Sequence, residues 1–177
     1  MPGSLLYYWD TCLFLAWIQD EQRPSGEMAG VREIIARAKR REVLIMTSVL
    51  TTTEALQSKI PAGVETLFHG LMQKVERKSI DIKIARLAHD LRDHYVQRAA
   101  KSDGKTLSTP DALHLATAIM YRADEFHTFD GNGSRKSLGL LPLSGDVAGH
   151  KLIICKPVAQ HPELDLIGGK KKHEPKQ

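Results

Sequence analysis

The sequence predicts an α/β fold, a three-layer α/β/α arrangement with a mostly parallel central sheet. Three observations predict it. Residues 5–9 and 43–46 are short apolar runs of the kind that form strands buried on both faces. Segments with helical periodicity lie between such runs, as the crossovers between parallel strands require. The chain has 177 residues, which suits one domain with a single sizeable core.

Leu5-Leu6-Tyr7-Tyr8-Trp9 is the first strand, ending at Asp10. Leu13, Phe14, Ala16 and Trp17 begin a helical pattern, residues 19–30 read as a polar loop around Pro24 and Gly26, and Val31, Ile34, Ile35 and Ala38 share one face of a helix over 31–41. Val43-Leu44-Ile45-Met46 is the second strand. A helix is expected to start at Ser48 and run to residue 57, with Ile60-Pro61 and Gly63 breaking it. Val64, Leu67, Phe68, Leu71 and Val75 predict another over 64–77. Ile80, Ile82 and Ile84 alternate, which predicts a strand over 79–84, and Leu87, Ala88, Leu91, Tyr95 and Ala99 predict a helix over 85–100. Thr109-Pro110-Asp111 opens a further helix, with Thr109 as N-cap and Pro110 at the first helical position. Residues 125–129 form a short strand ending at Asp130, Gly131-Asn132-Gly133 a turn, and residues 151–156 the last strand. The domain is expected to occupy residues 1–156, with 157–177 a polar, lysine-rich and partly disordered extension.

Composition narrows the function. Cys12 and Cys155 are too few for a zinc cluster or a disulfide framework, and a reducing, cytoplasmic setting is expected. The apolar stretch 5–18 is broken by Asp10 and Thr11 and follows no basic segment, which argues against a signal peptide or membrane span. Net charge is +4, of which residues 168–177 carry +3. The basic balance therefore says little about the folded body. Lys39-Arg40-Arg41 and Lys170-Lys171-Lys172 are the densest basic clusters, readable as solvated ends or as contacts to RNA phosphate.

Ligands of such sheets sit beyond the carboxyl ends of the strands. Asp10 and Asp130 each follow a strand directly, Glu54 lies early in the helix entered from the second strand, and Asp111 lies in the first turn of its own helix. Taken singly, each has a structural explanation in turn or helix-dipole preference. If their strands are neighbours, the four carboxylates converge. Two unit charges roughly 4 Å apart repel by about 4 kcal/mol at an effective dielectric of ~20, so such a group takes up protons or holds a cation. Oxygen-only donors favour Mg²⁺ or Mn²⁺, and such ions serve phosphate-ester hydrolysis.

Four segments carry a family resemblance: Tyr8-Trp9-Asp10-Thr11-Cys12; residues 47–56 from Thr47-Ser48 to Glu54-Ala55-Leu56; residues 107–118 around Ser108-Thr109-Pro110-Asp111-Ala112-Leu113-His114; and Phe126-His127-Thr128-Phe129-Asp130. Over roughly residues 5 to 156 the chain resembles the PIN-domain nucleases, in particular the VapC-type endoribonuclease toxins of toxin–antitoxin systems. The resemblance implies that Asp10, Glu54, Asp111 and Asp130 hold Mg²⁺ or Mn²⁺ and cleave single-stranded RNA. It places Thr11, Ser48 and Thr128 beside these ligands, as hydrogen-bond partners or simply as caps. It further implies a homodimer and a cognate antitoxin that inserts a basic side chain or covers the RNA groove. Gly131-Asn132-Gly133-Ser134 departs from the family's usual aspartate and phenylalanine pattern after the last acid.

Other chemistries fit less well. Gly104-Lys105-Thr106 resembles the end of a phosphate-binding loop, but Ala99 stands where the leading glycine belongs. There is no His-Glu-x-x-His pair and no Gly-x-Ser-x-Gly elbow, and Cys12 stands where a haloacid-dehalogenase phosphatase needs a second aspartate. His114 reads as a packed or solvent-facing helix residue rather than a ligand of a hard cation. The alternative function is a non-catalytic member of the same fold that binds RNA or protein, a role that gives no reason to keep mutually repelling acids. A structure-specific DNA nuclease ranks third, since no helical arch or long basic insertion is present.

Overall fold

A computed structural model describes residues 4–23, 26–55, 63–100 and 104–159. Five strands form one sheet, β1 (Leu5–Trp9), β2 (Val43–Ser48), β3 (Glu76–Lys78), β4 (Glu125–His127) and β5 (Ile153–Cys155), in the order β3-β2-β1-β4-β5. Every pairing is parallel. In the register, Tyr8 lies between Met46 and Phe126.

Alternation along β1 divides the core into two layers. Tyr8 joins Met46, Phe126 and Ile154 under α5 (Ile82–Ala99) and α6 (Thr109–Met120). Tyr7 and Trp9 face the other way with Val43 and Ile45, under α1 (Thr11–Ile18), α2 (Glu27–Lys39) and α4 (Val64–Met72). This is the predicted three-layer arrangement. Because β1 is central, Tyr8 and Trp9 are fully buried. Among the described residues no helix is long and apolar enough to cross a membrane.

Several boundaries differ from the sequence expectation. The strand expected over 79–84 is absent. Asp81 instead caps α5, its carboxylate accepting the Lys83 and Ile84 N–H groups at 2.9 Å each. The isoleucines are then placed by helical geometry, with Ile82 65% exposed and Ile84 buried. The neighbouring strand is β3, a polar Glu-Arg-Lys segment pairing with Met46 to Ser48, so the helix expected over 64–77 stops at Met72. Ser108, not Thr109, is the N-cap of α6, and its hydroxyl accepts the Asp111 N–H at 3.2 Å. The polar loop also ends early, because α2 starts at Glu27 and buries Met28 and Ala29. The helix after β2 is α3 (Leu50–Ala55), while Pro24, the expected break at Ile60-Pro61 and the tail from residue 160 lie outside the described residues.

The end of the described chain packs onto α2. Lys156 Nζ meets Glu27 at 2.6 Å, and a Cβ at Gly30 would stand 2.3 Å from the Pro157 carbonyl oxygen. Inside a helix Ala normally stabilises over Gly by about 1 kcal/mol. Here the clash is with backbone and outweighs that gain, so Gly30→Ala is expected to cost about 1–3 kcal/mol, or roughly 5 °C in Tm. Thermal unfolding checks it; a rise in Tm contradicts the packing.

Candidate active site

The carboxyl edge of the sheet gathers the predicted acids. Asp10 follows β1 and caps α1, with Oδ1 accepting its neighbour's Thr11 N–H at 2.7 Å. Its Oδ2 accepts the Thr128 hydroxyl at 2.7 Å and the Cys12 thiol at 3.3 Å. The same Thr128 oxygen accepts the Asp130 N–H at 3.0 Å, so one hydroxyl fixes Asp10 relative to the chain carrying Asp130. The Asp130 carboxylate in turn accepts the Gly133 N–H at 2.8 Å. Asp111 lies in the first turn of α6 and accepts the Ser108 hydroxyl.

Asp111 feels both Asp10 and Asp130. Burial pushes its carboxyl above the usual carboxylate range, and the charges of Asp10 and Asp130 push it the same way, against the Ser108 hydrogen bond and the charge of His114. Among the described residues, no lysine or arginine pairs with any of the three.

Glu54 is held differently. Its Oε2 accepts the Thr11 hydroxyl and lies 2.8 Å from His114 Nε2. Burial works to raise its pKa, but the hydrogen bonds from His114 and Thr11 prevail and hold the carboxyl below its usual range. His114 is 1% exposed, and its Nδ1 lies 2.6 Å from the Tyr8 hydroxyl. A carboxylate only accepts, so Nε2 carries the proton shared with Glu54. Burial raises the Tyr8 pKa, so the phenol stays protonated; its oxygen accepts the Ser48 N–H at 3.0 Å. Burial pulls the His114 pKa down, yet the Glu54 hydrogen bond and the charges of Asp10, Glu54 and Asp111 lift it above its ordinary value.

The three flanking hydroxyls thus have different places. Thr11 reaches Glu54 and Thr128 reaches Asp10, whereas Ser48 Oγ accepts the Leu50 N–H at 3.2 Å and lies 3.4 Å from His114 Nδ1. Sequence reasoning missed the depth of this support. His114 is packed, as one of the two expected placements had it, and it also braces Glu54; its position three residues past Asp111 in one helix was the available signal. Thr47 donates to the Trp9 carbonyl at 2.9 Å and meets Thr51 Oγ1 at 2.6 Å, tying β2 and α3 to the end of β1. Cys12 also belongs here. Burial and then the Asp10 charge push its thiol up, so it stays protonated and accepts the Phe129 N–H at 3.3 Å.

The donors suit a hard cation: four carboxylates, no soft ligand that ionises readily, and mutual repulsion that a cation relieves. A second group has ligating atoms closer together. Glu125, His127 and Cys155 lie within 4.8 Å of one another, and among the described residues no other three do. Their hydrogen bonds oppose a metal. The Trp9 indole N–H donates to His127 Nδ1 at 3.2 Å, which leaves the hydrogen on Nε2, pointing at Glu125 Oε2 2.7 Å away. Coordination through Nε2 would turn Nδ1 into a donor facing the indole N–H. Burial and the Glu125 charge also push the Cys155 thiol up to about 12. The all-oxygen donors at the carboxyl edge are of the type that suits Mg²⁺, which is bound through a few carboxylates and keeps several of its waters.

A family model described as PIN domain matches residues 7–137. Among solved structures, VapBC2 from Rickettsia felis, bound to a DNA fragment from its promoter, is similar at 15% identity and TM-score 0.59, covering 85% of this chain and 98% of that one. DNA-bound VapBC from Salmonella typhimurium is similar at 14% identity and TM-score 0.56, with the same coverage. At these identities the likeness concerns the fold. No curated protein matches the chain.

Crowding of acids has a measurable cost. A carboxyl whose pKa is higher folded than unfolded stabilises the fold while protonated and weakens it as pH rises past the unfolded value. Without a cation Asp111 therefore costs stability at neutral pH. Asp111→Asn, which keeps an acceptor for Ser108, is expected to raise Tm by about 2 °C in EDTA near pH 7, and by less towards about pH 4. Mg²⁺ should stabilise the wild-type chain more than the variant. A lower Tm for the variant in EDTA near pH 7 would show that the carboxylates do not repel.

Proposed function

The chain belongs to the PIN-domain family, and on that premise we propose that it is a Mg²⁺- or Mn²⁺-dependent endoribonuclease acting on single-stranded RNA, the toxin of a toxin–antitoxin pair. The observation that carries the reading is Asp111 at the carboxyl edge, repelled by both Asp10 and Asp130, with no lysine or arginine ion-paired to any of the three among the described residues. A binding module gains nothing from such a group beside a polyanion. The VapBC complexes of similar fold support an antitoxin partner for this chain as well. Homodimerisation, a cytoplasmic setting and the unit 1–156 as the catalytic domain complete the proposal.

Asp10, Glu54, Asp111 and Asp130 would hold the cation. When bound, it supplies Lewis-acid activation of the attacking water and positive charge beside the scissile phosphate. The chain's own residues supply the rest. Thr128 and Cys12 orient Asp10 Oδ2, Ser108 orients Asp111, and the Gly133 N–H orients Asp130. Glu54 is kept ionised by His114 and Thr11, so it would face the cation as a charged oxygen donor. His114 is a positioning residue: it holds Glu54 and is itself fixed by Tyr8.

RNA cleavage with Mg²⁺ or Mn²⁺ tests the reading. We expect EDTA to abolish cleavage, and Asp10→Asn and Asp111→Asn each to lower kcat by at least about 10²-fold with the fold intact, as for loss of about 3 kcal/mol of transition-state stabilisation. Cleavage that persists in EDTA, or full activity in both variants, overturns the mechanism. Expression should arrest growth, and co-expression of the protein encoded beside it should relieve the arrest.

A further inference from the structure

The polar segment between α1 and α2 has no part in the mechanism above, yet it reaches the acidic site. Glu21 N–H donates to the Ala16 carbonyl at 3.0 Å, which folds the segment back against the end of α1. Two residues on, the Arg23 guanidinium lies over the Phe129 ring, 4.0 Å from its centroid. Carboxylates hold it there. Nε and Nη2 meet Glu21 Oε2 at 2.9 and 2.8 Å, and Nη1 lies 3.8 Å from Glu27 Oε2 in the first turn of α2. Glu27 is in turn paired with Lys156, the residue after β5. The Arg23 side chain is 26% exposed and Phe129 packs against the core layer under α1 and α2. The contact is therefore largely desolvated, the setting in which a cation over a ring binds best.

Phe129 stands between two residues of the acidic site. Thr128 before it donates its hydroxyl to Asp10 Oδ2 at 2.7 Å, and Asp130 after it is one of the acids. Its own N–H donates to Cys12 Sγ at 3.3 Å, and the Cys12 thiol donates to Asp10 Oδ2, also at 3.3 Å. Strand pairing of β4 ends at His127. Beyond it the Thr128 N–H still reaches the Cys155 carbonyl at 3.1 Å, whereas the Phe129 N–H turns to the thiol. Three consecutive residues thus carry two routes to Asp10 and one further acid, and a shift of Phe129 moves all of them. Its backbone serves the site, while its ring carries the guanidinium that ties it to Glu21 and Glu27.

We propose that Arg23 is a positioning residue of the cation site: by clasping Phe129 it sets residues 128–130, and with them Asp10 and Asp130, in the arrangement that receives a divalent cation. The proposal rests on the metal-site reading above. The sign of the effect separates it from a simple charge effect. A neighbouring cation repels a divalent ion, so by charge alone removing Arg23, which leaves Glu21 and Glu27 with one cation fewer, tightens metal binding. By positioning, the same removal loosens it.

The test titrates Mn²⁺ into the full chain, stripped of metal with EDTA and dialysed, and follows binding by calorimetry. Wild type is compared with Arg23→Gln, Phe129→Leu and the two combined, each checked for an unchanged fold by circular dichroism. Each single variant is expected to raise the Mn²⁺ Kd about 5-fold, and the combination to raise it no further, because both remove the same clasp. Cleavage of single-stranded RNA by Arg23→Gln should fall at limiting Mn²⁺ and return to within about 2-fold of the wild-type kcat at saturation, which a general loss of stability would not give. Unchanged or tighter Mn²⁺ binding in Arg23→Gln, or losses that add in the combined variant, overturns the proposal; Arg23→Gln decides alone if Phe129→Leu does not fold. A wild-type chain that binds no Mn²⁺ overturns the metal-site reading and the proposal together. Mn²⁺ binding with the expected dependence on Arg23, in a chain that never cleaves RNA, leaves the proposal standing and removes the nuclease reading.

Discussion

The structure depends on setting Asp10, Asp111 and Asp130 at one edge of the sheet, where the charges of Asp10 and Asp130 act on Asp111, with no cation among the described residues hydrogen-bonded to any of the three. Their hydrogen-bond partners are uncharged: the Thr11 and Gly133 amides and the hydroxyls of Thr128 and Ser108, with the un-ionised Cys12 thiol added. Such donors orient a carboxylate and leave its charge in place. A lysine at any of these positions would relieve the repulsion more fully, and would also occupy the electrostatic position a divalent cation needs. Glu54 shows the contrast. It is hydrogen-bonded by His114, and it is the acid whose pKa is lowered where that of Asp111 is raised.

Central placement of β1 makes this possible. Parallel neighbours on both sides leave Tyr7, Tyr8 and Trp9 no face towards solvent, so the strand's last three residues are locked by core packing just before Asp10. Tyr8 carries the coupling further. Its ring stacks on Phe126 at 5.0 Å between centroids, while its hydroxyl meets Ser48 N–H and His114. Packing in the sheet thereby fixes the imidazole that fixes Glu54. Buried polar networks of this kind succeed when every member is satisfied, and among the described residues no buried side-chain polar atom lacks a partner.

How far the sequence disclosed this varies with the range of the interaction. Strand ends and helix starts are local, so the positions of Asp10, Asp111 and Asp130 on their elements were legible, as was the parallel three-layer sheet. β3 was not, because a strand of Glu-Arg-Lys at the sheet edge carries no apolar pattern, and the alternating isoleucines beside it mimic one. Asp81 decides that segment through two backbone bonds invisible to periodicity. His114 was legible as a member of α6 but not as the brace of Glu54, since that contact joins positions 60 residues apart. Thr47 and Thr51 went unread for the same reason; a hydroxyl near a strand end has too many local uses to announce a tertiary one.

Charge is where local and global readings part most clearly. The chain's surplus of +4 lies mainly in residues 168–177, whereas the folded body is close to neutral and concentrates anionic charge at the carboxyl edge. A polyanionic substrate meeting such a body is not drawn in by net charge. The turn after β4 bounds that anionic edge by geometry. Asp130 faces the acids, and one residue later the chain folds back, through positions only glycine can occupy, to stand beside Lys105 and the end of α5. A left-handed backbone at Gly133 and the missing side chain at Gly139 thus let the turn close directly behind the last of the acids.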